Sequence, residues 1–259
     1  MNSTNNSFET EKGTLKEMTL AQIATKNYKS AEVFEKYDLD FCCNGNKSLV
    51  QACSEKGIDP DEIYGELLNS ENSEVNKEMR FDDWELDFLV DYIVNNHHRY
   101  VRQSIPVIAA HAEKVVAKHG KNHPELIEIA KIFSTVYKDL GQHLIKEEEL
   151  LFPYIKTLVK VKNNIMKYEA PFFGKIANPI KMMEIEHETA GNWLFDIRQL
   201  SENYSLPQDA CNTYTVYYKE LKEFEEDLHK HVYLENNILF PKSIILENKL
   251  IEENSNKIL

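Results

Sequence analysis

The stretch HLIKEEELLFP, residues 143–153, returns as HVYLENNILFP at residues 231–241. Both copies read H-x3-E-x3-L-F-P, 88 residues apart. Upstream, His98 precedes His143 by 45 residues and His187 precedes His231 by 44. The chain therefore reads as two antiparallel helix pairs of one plan. Each pair has a lone histidine on its first helix and an H-x3-E on its second. A repeat of this length places chemistry better than any single residue does.

The spacing has a direct physical meaning. Residues i and i+4 share one helix face with Cβ atoms about 6 Å apart, so an imidazole and a carboxylate can reach one ion. Two such helices in contact set two carboxylates between two metals, as in other bundle cores. Four histidines with two glutamates form a nitrogen-rich donor set suited to iron, with zinc and manganese as alternatives. Two carboxylates also offset the charge of two divalent ions, which makes burial tolerable. A single H-x3-E is ordinarily an exposed pair, and a single buried histidine is ordinarily a hydrogen-bonded core residue. Two copies with co-spaced upstream histidines favour a metal site. The candidate ligands are His98, His143, Glu147, His187, His231 and Glu235, and no catalytic residue is assigned.

The repeat also chooses between His97 and His98. With His98 set against His187, Val94 faces Met183, Val101 faces Ala190, Ile105 faces Leu194 and Ile108 faces Ile197. Those offsets describe one helical stripe around the histidine, and His97 becomes a neighbour of the site. His111, His119, His123 and His229 read as surface or loop residues, and Glu148 and Glu149 as solvent-facing. Tyr100, Tyr137, Tyr214 and Tyr217 read as core or supporting residues. Glu184 and Glu186 flank His187, and either can accept a hydrogen bond from a ligand imidazole.

Working outward, the 259 residues include only 8 Gly and 8 Pro, and 42% are hydrophobic, so a mostly α globular protein is expected. Residues 1 to about 14 are polar and expected to fray. A small helical Cys-Cys domain is expected over 15–68, with Thr19 and Ser30 as caps and Asn44-Gly45 as a turn. Its last two helices fall around Leu49–Glu55 and Asp59–Leu68. Residues 69–80 lack periodicity and read as a linker. A four-helix bundle is expected over 81–242. Its first helix starts at Asp82 or Asp83 and kinks at Pro106. The second follows Pro124 to about Tyr154. A connection with Pro171, Gly174 and Pro179 leads to a third near 180–202. A break at Pro207 leads to a fourth over 208–236, with a tail after Pro241.

The formal charge is −13, from 30 basic and 43 acidic residues. Such a surface argues against nucleic acid and against anionic lipid as partners. No apolar run approaches the roughly 20 residues of a membrane helix. The opening MNSTNNSFETEKG lacks the apolar core of a secretory signal, so a cytoplasmic protein is expected. There Cys42, Cys43, Cys53 and Cys211 are thiols. Adjacent Cys42 and Cys43 read either as two small residues at a helix end or as a reactive pair for redox exchange or iron transfer. Thiolate character near a helix terminus would help the second role.

Two signatures in order, VFEKYDLDFCCNGNKSLVQAC near the N-terminus and then the HH at 97–98, HLIKEEELLFP, MEIEHETAG and HVYLENNILFP, resemble a known family. The bundle motifs resemble the hemerythrin-like fold. The whole, over about residues 15–242, resembles the iron–sulfur cluster repair di-iron proteins (repair of iron centres, ScdA/YtfE type). The resemblance implies His98, His143, His187 and His231 as terminal ligands of two non-haem irons. It implies Glu147 and Glu235 as bridges, beside an oxo or hydroxo group. It further implies repair of iron–sulfur clusters damaged by nitric oxide or peroxide, with damaged iron–sulfur proteins as clients and iron donation as the means. Asn44 stands where the family often has glycine. The alternatives are a di-iron reductase of nitric oxide or peroxide, and an oxygen-binding carrier or sensor. A homodimer through the small N-terminal unit is a further expectation, since about 54 residues make little core.

Overall fold

The structure is a computed structural model that describes residues 15–27, 29–71 and 81–256. The expectations for residues 1–14 and 72–80 lie outside the described residues. The described residues form helices and turns, with one isolated antiparallel bridge between Thr19 and Ser48. The chain divides into two compact units. One is the chain up to Trp84 together with Tyr233–Ile238, and the other is Glu85–Val232 with Leu239–Leu259.

In the first unit, α1 (Leu20–Lys26) and α3 (Leu49–Lys56) start on the same device. Thr19 Oγ1 accepts the Gln22 N–H at 3.1 Å while Gln22 Oε1 accepts the Thr19 N–H at 3.0 Å. Ser48 and Gln51 repeat this reciprocal cap. Ser30 does not cap as expected. It is the first residue of α2 (Ser30–Lys36) and donates to the Asn27 carbonyl at 2.6 Å. Helix α4 (Pro60–Glu71) opens on a proline, whose missing N–H is no loss there. It carries on into the first residues of the expected linker. Phe34, Phe41, Leu49 and Ile63 fill the core of this unit. The turn before α3 requires Gly45, because a Cβ there would sit 2.3 Å from the Phe41 carbonyl oxygen.

The second unit is built from long helices. Residues Phe81–Asp83, where the first of them was expected to start, form a short 3-10 turn that precedes it. Helix α5 (Leu86–Ile93) passes through a wide π-helical turn, Val94–His98, into α6 (Arg99–His119). The run continues unbroken through Pro106, so the irregularity lies upstream of the expected kink. Helix α7 (Glu125–Lys146) passes through a π turn at Glu147–Leu151 into α8 (Phe152–Lys162), two turns beyond the expected end. Helix α9 spans Ala177–Leu200. Helix α10 (Asn212–Leu234) passes through the π turn Glu235–Leu239 into α11 (Phe240–Asn256). The expected tail is therefore a full helix.

Apolar stripes explain the packing. Val101, Ile105 and Ile108 of α6 are buried, as are Met183, Ala190, Leu194 and Ile197 of α9. The expected match fails at one place. Ile93 is fully buried while Val94 is half-buried. A π turn inserts one residue into the helical register, so the stripe upstream shifts by one. The same insertion buries both His97 and His98.

Candidate metal centre

The three wide turns sit where the chemistry was predicted. His98 ends the first, Glu147 opens the second and Glu235 opens the third. Pro153 and Pro241 follow Glu149 and Asn237 by four residues. A proline ring crowds the carbonyl four residues back and offers it no N–H, which favours a widened turn at those places. Such turns recur at functional sites.

The structure brings all six predicted residues together, each no more than 2% exposed. They form two overlapping groups. His98, Glu147, His231 and Glu235 place one ligand atom each within 4.8 Å of the others. His143, Glu147, His187 and Glu235 do the same. Both glutamates belong to both groups. Glu147 Oε2 lies 3.4 Å from His98 Nε2 and 3.3 Å from His143 Nε2. The imidazoles meet in pairs, with Nε2 atoms 3.2 Å apart for His98 and His231 and 3.0 Å apart for His187 and His143.

The outer ring nitrogens fix which atoms face inward. His98 Nδ1 donates to Glu148 at 2.6 Å, and His143 Nδ1 donates to Glu186 at 2.9 Å. An ionised carboxylate only accepts, so the proton sits on Nδ1 and Nε2 presents its lone pair to the centre. Arg102 holds Glu148 at 2.8 Å, and Lys146 pairs with Glu186. The Glu186 carboxyl is held down to about 2, first by the hydrogen bond from His143 and then by Lys146. Glu148 is thus not merely solvent-facing, and Glu186 serves the histidine of α7 rather than its neighbour His187. Aromatic rings fix the remaining faces. Phe152 stacks on His98 with centroids 5.4 Å apart, and Phe240 stacks on His187 at 6.0 Å.

These donors suit a pair of divalent cations. Imidazole nitrogens converge on carboxylates that both groups share, among side chains that are almost fully buried. His97, the rejected alternative, donates instead to Asp227 at 2.9 Å and stacks on His231. Residues 89–243 match the hemerythrin HHE cation-binding domain, and residues 16–71 match the ScdA_N family, a domain of unknown function. A probable iron–sulfur cluster repair protein of Haemophilus influenzae is 33% identical over 86% of this chain and 95% of its own length. The chain belongs to the iron–sulfur cluster repair family. The iron–sulfur cluster repair protein YtfE of Yersinia pestis is 31% identical over 87% of this chain and 96% of its own length.

The N-terminal cysteine pair has its own geometry. Cys42 and Cys43 lie in the turn between α2 and α3, not at a helix end, with sulfurs 3.9 Å apart and no bond between them. Asp40 joins them in a third group of possible ligands. Burial pushes the Asp40 carboxyl up, but hydrogen bonds from Asn44 and the Cys43 N–H outweigh it and hold it low. Asn44 donates to the Asp40 carboxylate through that bond at 2.7 Å. The Cys42 thiol is pushed well up by its contact with Cys43 and by burial, so the thiolate character that would help a reactive pair is not favoured at Cys42. Within the same unit, Asn236 and Asn237 donate to the carbonyls of Cys42 and Phe41 at 3.3 Å.

Some expectations fail on burial. His119 is a buried residue, not a surface one, while Tyr137 is 52% exposed and Tyr214 and Tyr217 are core. Sequence reading missed Glu247, a carboxylate 1% exposed on α11. It accepts from Tyr154 at 2.8 Å and from the Ile176 N–H ahead of α9 at 3.1 and 3.0 Å.

Proposed function

We propose that this chain is a di-iron protein that repairs iron–sulfur clusters damaged by nitrosative or oxidative stress, by donating iron. Its ligands would be His98, His143, His187 and His231 together with Glu147 and Glu235, the two residues common to both groups. The observation that carries the reading is the Glu147 carboxylate, equally close to an imidazole of each group. Iron held there would supply redox and Lewis-acid chemistry at a deeply buried site. The residues around it do the rest. Glu148 and Glu186 orient the imidazoles, and Phe152 and Phe240 clamp their rings. Both carboxylates are partly exposed and tied to cations, so the hold on the imidazoles can be loosened from the surface.

Iron is then cargo as well as ligand partner, and the Asp40, Cys42 and Cys43 group is a reasonable stop on its way to a client. Damaged iron–sulfur proteins are the clients. Among the described residues no helix is long and apolar enough to cross a membrane. Four unbridged cysteines suit a reducing cytoplasm. The test is to mix iron-loaded protein with a client enzyme whose cluster was damaged by nitric oxide or peroxide, beside the same amount of free ferrous iron. Faster recovery than the free-iron control supports donation. Equal recovery sinks it.

One observation favours a second reading, a di-iron reductase of nitric oxide or peroxide. A cleft of about 280 Å³ reaches His143 between Asp139, Lys146, Glu186, Thr189 and Trp193. It has room for a small molecule beside the centre. Many turnovers of nitric oxide without loss of iron would select this reading over donation.

A further inference from the structure

A second chemical cluster lies at the far end of α6 from the metal centre. His119 ends that helix, 21 residues after His98, or about 30 Å along its axis. Its Nε2 lies 3.2 Å from the sulfur of Cys211. The Cys211 carbonyl accepts the Thr215 N–H at 3.0 Å, so Cys211 holds the cap position of the 23-residue α10. The N–H groups of Tyr214 and Thr213 donate toward its sulfur, where a serine or aspartate oxygen stands in an ordinary cap.

The sulfur thus meets an imidazole on one side and the positive end of a long helix on the other. The ring of His119 is only 7% exposed and packs on Tyr214 at 5.4 Å, so its approach to the sulfur is fixed. The charged neighbours leave that pair intact. Lys118 adds positive charge from α6. Asp209, on the sulfur's own loop, and Glu125, at the start of α7, are engaged by His123 at 2.9 and 3.0 Å. The Cys211 thiol is lowered to about 6, first by the hydrogen bond with His119 and then by the Tyr214 N–H. At neutral pH it is mostly thiolate, the nucleophilic form. Cys53, by contrast, is fully buried and its thiol is pushed up by that burial. Cys211 is half-exposed, which admits a small oxidant.

We propose that Cys211 and His119 form a reactive hydrogen-bonded pair at which hydrogen peroxide oxidises the cysteine to a sulfenic acid. The sulfur attacks one peroxide oxygen and the O–O bond breaks. The leaving hydroxide takes up the proton that the thiol gave up, passed on by His119, and departs as water. Sulfur loses two electrons and peroxide gains them. No metal takes part, so the site is independent of the iron reading.

The test uses the full chain and reads each cysteine separately by peptide mass spectrometry. Iodoacetamide labelling across pH gives a midpoint for every thiol, and dimedone traps sulfenic acid after brief exposure to peroxide. Cys211 is expected to label with a midpoint near pH 6, to react on the order of tenfold faster than Cys43 near pH 6.5, and to carry the dimedone adduct. His119→Gln should lower that rate on the order of tenfold and move the midpoint into the ordinary thiol range, with metal content unchanged. A midpoint above pH 8 in the unaltered protein, or an adduct on Cys43 with none on Cys211, overturns the proposal. Those two readings decide even where the buried His119 variant does not fold.

Discussion

The two halves of the bundle, residues 86–162 and 177–256, share a sequence plan but not a structure. In the first half, the helix carrying the lone histidine opens into a π turn at Val94–His98. In the second, α9 passes through His187 as regular helix. The first half supplies its own carboxylate to His98, through Glu148. It borrows Glu186 from the second half for His143. Neither half makes a site alone. Each four-residue group takes two residues from each half, and the imidazole pairs both cross between halves. The repeated motif thus gathers into one cluster whose two residue groups are unequal in their supports.

The largest effect should come from a residue both groups share. Glu147→Ala is expected to abolish binding of both metal ions, whereas His187→Ala should leave the group containing His98 able to bind one. Calorimetric titration with ferrous iron distinguishes them, and one ion retained by Glu147→Ala would break the shared-bridge picture. Next are the two stacked rings. Phe152→Ala and Phe240→Ala should each destabilise the protein by about 3–5 kcal/mol, as buried phenylalanines do. Urea unfolding of the metal-free protein measures it, and a value near zero for either would mean that its stacking is incidental.

Smaller effects sharpen the asymmetry. Glu148→Gln and Glu186→Gln should each weaken metal binding roughly 10–100-fold. The first should act on the position that includes His98 and the second on the one that includes His143. Identical loss at both positions from either change would argue that the supports are not separate. Tyr154→Phe, which strips the buried Glu247 carboxylate of a donor between α8 and α11, should cost roughly 1–2 kcal/mol. Thermal unfolding suffices to see it.

The convergence of the six side chains was legible because helical chemistry at i and i+4 is written locally, and the repeat removed the ambiguity of each copy. The supports were not. Glu148 meets a histidine 50 residues away, and Glu186 meets one 43 residues away. Phe152 and Phe240 were visible as the F of the motif, but which ring each covers is set by tertiary packing. The π turn at His98 left no spacing signal of its own, so Val94 was placed on the stripe that Ile93 occupies. Helix α11 escaped notice because two of its buried positions, Ser243 and Glu247, are polar. His119 and Cys211 stand 92 residues apart, beyond any local pattern.

The central claim is that one centre of two metals is held jointly by both halves. The most direct test is iron content and iron spectroscopy on protein prepared without oxygen, beside a His143→Ala, His231→Ala double variant that takes one imidazole from each group. The account predicts about two interacting irons per chain, and their loss in a variant that keeps its helical content. Well-folded protein that takes up no iron, or binding unchanged in the variant, would contradict it and return the histidines to the core.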